Sequence, residues 1–211
     1  MFNFDAETWL VIYPHGAGGR FLSMLMSLDP AMAGLDGSHH PPTRYLEYRE
    51  AILYGLHAHW LDHELSYNRS RLEGIDLVTS IVNRKKYIFS GHMDMIWLDQ
   101  EFYSRCNNLK IIDISITHEK SKLALDNRRI KRTHGGPINS HELTLSHMTP
   151  TLCQTLWDVE PYTIELLDFW DKDIFITWFT NFIKDNNLNI ETDHWHNLYL
   201  LWQEKLPQYR G

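Results

Sequence analysis

Apolar residues along this chain change period several times, and each change predicts an element. Thr8 to Tyr13, "TWLVIY", is a short unbroken apolar run rich in strand-favouring residues and closed by Pro14, which reads as a buried central strand. Behind the glycine-rich stretch that follows, Phe21, Met24, Leu25 and Leu28 recur at i, i+3, i+4 and i+7, the stripe of an amphipathic helix that Pro30 ends. "GLDGSHHPPT", within 31–43, is a turn-rich loop, and Ile52, Leu53, Leu56, Trp60 and Leu65 come close to helical spacing over Tyr48 to Leu65. Lys85 to His92 and Leu109 to Thr117 read as strands, the second with Ile112, Ile114 and Ile116 alternating against Asp113 and Ser115. His118 to Arg132 is a charged helix whose "RRIKR" end reads as solvated, and 133–151 is a long surface loop. "PYTIELLDFW" is the last strand. Two helices close the chain, with Phe175, Trp178, Phe179 and Phe182 on a core face.

Helical material between short apolar strands is the signature of a parallel sheet. The expected fold is therefore α/β, three layers with a mainly parallel sheet flanked by helices, in one domain over 1–211. Its 211 residues, 43% hydrophobic, can bury a core of that kind.

Charge and composition narrow the function. A net charge of −7 argues against a nucleic-acid-coating protein, since phosphate binding draws on Lys and Arg that are in overall deficit. Two cysteines, Cys106 and Cys153, are too few for a disulfide framework, so buried or free thiols are expected. The N-terminal residues carry no basic lead and no apolar run reaches the length of a membrane span, from which a soluble, cytoplasmic protein is expected. Among 13 histidines, His59 and His63 stand at i and i+4 beside Asp62, but solvent-facing histidines are the favoured reading and no metal is expected. "HHPP" and "HWH" read as surface features. No G-x-S-x-G elbow supports a hydrolase.

The chemistry concentrates in "YPHGAGGRF", Tyr13 to Phe21. Glycines between a parallel strand and a helix allow positive φ and close approach of an anion, and the helix start favours negative charge. His15, Gly16, Ala17, Gly18, Gly19, Arg20 and Phe21 are the candidate anion cradle. The stretch fits neither G-x-x-x-x-G-K-[ST] nor G-x-G-x-x-G. A ligand-free glycine turn is the alternative.

"IYPHGAGGRFLSML" resembles the nucleotide loop of the sulfotransferase family, P-loop folds that take 3'-phosphoadenosine 5'-phosphosulfate as sulfuryl donor, and would be a divergent member of it. Pro14, Gly18, Gly19 and the Phe21–Leu22 helix start are in register with that loop, while Gly16 stands at its lysine and Arg20 at its hydroxyl residue. "YIFSGH" is similar to the strand that ends on the family's catalytic histidine, which places His92 at that position. The resemblance implies transfer of a sulfuryl group to a hydroxyl or amine of a small-molecule or glycan acceptor, with no nucleic-acid or membrane partner. His92 would be the base. Arg20 and the loop amides would hold the 5'-phosphosulfate, and Ser121 with Lys122, Arg128 and Arg129 would serve the adenosine-side phosphate, although the family's Arg and Ser spacing differs. The loop 133–151 would cover the acceptor. A nucleotide-dependent phosphotransferase and a non-catalytic protein that kept the fold are the other two readings.

Overall fold

The computed structural model describes residues 3–33, 45, 46, 49, 52, 86–92, 100–131 and 137–210. Five parallel strands form one sheet in the order β2-β3-β1-β4-β5: β1 (Glu7–Tyr13), β2 (Met32–Ala33), β3 (Lys86–His92), β4 (Asn108–Ser115) and β5 (Tyr162–Glu165). Seven helices accompany it among the described residues: α1 (Gly19–Met26), α2 (Gln100–Ser104), α3 (Glu119–Lys131), α4 (Ser140–Trp157), α5 (Leu166–Trp170), α6 (Lys172–Asp185) and α7 (Thr192–Arg210). The α/β expectation is met. No described helix is long and apolar enough to cross a membrane.

β1 is central because both its faces are apolar, and a strand buried on both faces needs a helical layer on each. Trp9, Val11 and Tyr13 join Ile88, Ile112 and Ile114 under α1, α5, α6 and α7. Leu10 and Ile12 join Phe89 and Ile111 on the other face, under Phe102 and Tyr103 of α2 and Leu145 and Cys153 of α4. Three layers follow. The register pairs Tyr13 with His92 and Ile12 with Asp113, so the carboxyl ends of β3 and β4 flank the exit of β1. From there the chain leaves β1 towards β2 on one side, and leaves β4 towards β5 on the other. Ligands of open α/β sheets bind where connections diverge in this way.

Five expectations are corrected. The segment read as a surface loop over 133–151 is mostly the helix α4. Asn139 accepts a hydrogen bond from the Glu142 amide at 2.9 Å while Glu142 Oε2 accepts one from the Asn139 amide at 3.4 Å, a reciprocal cap that starts the helix in polar sequence. Leu145, Thr149 and Cys153, four apart, face the sheet, and Pro150 is carried inside the helix. A helix packed on the sheet cannot serve as a mobile cover for an acceptor.

The last strand ends at Glu165, because Leu166, Phe169 and Trp170 repeat at i, i+3 and i+4 and bury as the helix α5. In "RRIKR", read as a solvated end, Arg128 and Arg129 are buried, 6% and 7% exposed. In "HWH", Trp195 lies in the core against Phe179, ring centroids 5.0 Å apart. The two-residue β2 lies in the segment read as loop. The helix expected over Tyr48 to Leu65, with His59, Asp62 and His63, falls almost wholly outside the described residues, as does "HHPP".

Candidate functional site

The glycine loop is built by two backbone conformations that residues with side chains rarely adopt. Gly16 and Gly18 have φ of +82° and +101°, and between them the Ala17 amide donates to the Pro14 carbonyl at 3.0 Å, closing a turn immediately beyond β1. Gly19 opens α1 with its Cα against the Tyr13 ring, where a Cβ would collide with the ring. The amides of Phe21 and Leu22 both reach the Gly18 carbonyl, at 2.9 and 3.3 Å, and no side chain caps the helix. The amides of Gly18 and Gly19 therefore donate to no acceptor among the described residues.

The other side of the loop is packed, not open. Trp170 Nε1 donates to the Ala17 carbonyl at 3.0 Å. Phe21 is stacked on Trp202, centroids 4.3 Å apart and planes 4° apart, and both Trp202 and Phe169 lie within 3.1 Å of where a Gly18 Cβ would be. Tyr199 and Gln203 of α7 tie down α5 by bonds to the Phe169 and Trp170 carbonyls at 3.1 and 2.9 Å. Of the residues expected in the cradle, Ala17, Gly19 and Phe21 are buried against these aromatics, and His15, Gly16, Gly18 and Arg20 keep solvent access.

His92 ends β3 beside this loop. Its ring lies edge-on to Tyr13 with centroids 4.7 Å apart, and stacks face to face on His15 at 3.5 Å. Its Nδ1 is buried without a hydrogen-bond partner among the described residues. Burial, then the neighbouring charges of His15, Arg20 and Arg129, lower its pKa to about 3, against a hydrogen bond to the Tyr13 backbone that acts the other way. His92 is therefore neutral at pH 7.

Arg129 reaches the loop from α3 as a structural clamp. Its Nε donates to the His15 carbonyl at 2.9 Å, and its two terminal nitrogens make a bidentate pair with Glu142 at 2.9 and 2.7 Å. Burial would raise the Glu142 pKa, but Arg129 and the Asn139 amide hold it below the usual carboxylate range. The Arg128 guanidinium lies over the Trp170 ring, 5.2 Å from its centroid.

Ser121 faces a carboxylate. Glu165, at the end of β5, accepts hydrogen bonds from Ser115 Oγ at 2.8 Å, Thr117 Oγ1 at 2.9 Å and the amides of Thr117 and His118 at 3.3 Å. Burial opposes its ionisation, and the Ser121, Ser115 and Thr117 side chains overcome that and lower its pKa.

The structure thus gathers His15, Gly16, Gly18, Arg20, His92 and Arg129 at one end of the sheet and associates Ser121 with Glu165. Sequence reasoning missed Glu142, Trp170 and Trp202, whose positions depend on long-range packing. The Asn139-x-x-Glu142 spacing was the one local signal for Glu142. It also passed over Asp113, fully buried on the α4 face of the sheet with neither carboxyl oxygen bonded among the described residues. Burial, and next the Glu165 charge, push its pKa up to about 8. Comparison of the chain with protein-family models, curated proteins and solved structures finds no match.

Proposed function

We propose that this chain is a sulfotransferase-like group-transfer enzyme that takes the phosphosulfate of 3'-phosphoadenosine 5'-phosphosulfate at the loop His15 to Arg20 and passes the sulfuryl group to an acceptor hydroxyl or amine on a small molecule or glycan. The observation that carries this reading is the juxtaposition of a glycine loop, with two amides that donate to nothing among the described residues, and His92 at the point where the connections of the sheet diverge. Gly18, Gly19 and Arg20 neutralise charge on the donor. His92, neutral and edge-on to Tyr13, takes the acceptor proton. Arg129 holds the His15 carbonyl in place.

The fit is uneven. The loop suits an anion, whereas the Glu165 carboxylate beside Ser121 would repel the donor's second phosphate, so Ser121 takes no part. Both cysteines are buried free thiols, which agrees with a reducing compartment such as the cytoplasm. A non-catalytic role is favoured by one observation of its own, the aromatic cover of Trp170, Trp202 and Phe169 on the loop.

Thermal unfolding with adenosine 3',5'-bisphosphate, with ATP plus magnesium, and without ligand tests these readings. Ligand at about 100 times its Kd stabilises by roughly 2.7 kcal/mol. The bisphosphate is expected to raise Tm. A response to ATP alone would support a phosphotransferase, and no response to either leaves a non-catalytic protein. His92→Ala is expected to abolish sulfuryl transfer while nucleotide affinity stays within a few-fold. Turnover at the wild-type rate in that variant removes His92 as the base.

A further inference from the structure

The stacked pair His15 and His92 has a consequence for any anion that reaches the loop. Two imidazole rings face to face at 3.5 Å, with Arg20 and Arg129 near enough for their charges to act on His92, form a cluster in which added positive charge is opposed by burial and by three neighbouring groups, and favoured only by a hydrogen bond to the Tyr13 backbone. Tyr13 covers His92 from β1, and Glu142 of α4 is already paired with Arg129. The remaining direction is the glycine loop, where the Gly18 and Gly19 amides and the start of α1 favour negative charge. His92 Nδ1, buried without a partner among the described residues, is a site for a proton that an added anion would favour.

We propose that anion binding at this loop is coupled to protonation: a phosphate or sulfate group bound there brings one proton onto His92, so the loop holds its anion more tightly as the pH falls. This rests on the reading of the loop as an anion site. The bound anion offsets the charges of Arg20, Arg129 and His15, removing the electrostatic part of what keeps His92 neutral and leaving burial as the opposing influence. The anion-bound His92 pKa lies above the free value. Linkage then makes affinity greatest below the free pKa and lets it fall as pH rises through the bound one. Below the bound pKa His92 already carries its proton and cannot take the acceptor's, so transfer through His92 requires a pH above that value.

Inorganic sulfate is the appropriate probe, since it has no proton of its own to release between pH 4 and 8. In NMR spectra of the ¹⁵N-labelled full-length chain, the His92 ring resonances and the Gly18 and Gly19 amides are followed from pH 4 to 8 with and without sulfate. Without sulfate His92, with its pKa of about 3, should show no midpoint in this range; with sulfate both amides shift and the His92 midpoint rises into it, by at least one unit. Affinity should weaken by up to tenfold per pH unit between the two midpoints. In His92→Gln the amides should still respond, with a smaller pH dependence. If sulfate shifts the amides but leaves the His92 midpoint unmoved, the coupling is overturned and the anion loop stands. If neither amide responds at any sulfate concentration, the anion loop falls and the coupling with it.

Discussion

Asp113 is a carboxyl group in the middle of a parallel sheet, with no exposure and no hydrogen bond among the described residues, and its neighbour Cys153 is a buried thiol pushed up to about 12. Its native pKa is raised to about 8, whereas in the unfolded chain the carboxyl titrates near its ordinary 3.8. Between these values the unfolded state holds fewer protons than the native one, so stability falls as pH rises from about 4 to about 8 and levels off above. Asp113→Asn removes that dependence. It is expected to raise stability at pH 8 relative to pH 5, against wild type, by about 3–4 kcal/mol in urea titrations. A variant whose stability profile keeps the wild-type slope would show that Asp113 is ionised in the native state.

Gly19 is constrained by its neighbour and not by its own φ. Gly19→Ala drives a methyl into the Tyr13 ring and is expected to cost at least about 3 kcal/mol, read as a fall in urea midpoint. Gly16→Ala has room, with Leu125 at 3.5 Å, and should cost only the strain of its positive φ, about 1–2 kcal/mol.

At the scale of elements, one ion pair joins α3, α4 and the glycine loop. Arg129 and Glu142 have side chains 8% and 11% exposed, and Glu142 also completes the cap of α4. Removing one partner strands a buried charge, and Arg129→Ala is expected to destabilise by about 3–5 kcal/mol. Because the Glu142 pKa is depressed, the pair's contribution is complete above the unfolded carboxylate pKa and is lost as pH falls through the folded one. Wild type should therefore lose more stability than Arg129→Ala between pH 6 and pH 3. Equal acid losses would indicate that the pair contributes no net stability.

β1, β3, β4 and α1 were legible because their apolar periods are local and unbroken. α4 was hidden by its composition. Ser140, His141, Thr144, His147 and Pro150 give it no continuous apolar stripe, and only the sheet face that buries Leu145, Thr149 and Cys153 makes it a helix worth forming. The hydrophobic run from Ile164 to Trp170 contains both a strand's alternation and a helix's 3–4 spacing, and Glu165 divides them.

Across the whole molecule, the loop and the C-terminal helices stabilise one another. Trp202 of α7 stacks on Phe21, contacts Phe169 at 5.4 Å between centroids, and limits space at Gly18. Trp202→Ala is expected to cost about 3–5 kcal/mol and to speed amide exchange in α1 along with α7. Faster exchange confined to α7 would show that α1 is stable without this cover. Gly18 thus ties the geometry of the loop to the packing of α7.

By itself the sequence determined which segments are strands buried on both faces, where the chain must turn through glycines, and that one glycine turn follows a central strand. Those properties are local, since period and positive φ depend on a few adjacent residues. Only the tertiary structure decided that His92 and His15 stack, that Arg129 holds the loop through Glu142, that Glu165 stands beside Ser121, and that the polar stretch after residue 139 is a helix. His15 and His92, His15 and Arg129, and Ser121 and Glu165 are 77, 114 and 44 positions apart, and the helix is stabilised by the sheet it covers; strand order and register set these meetings.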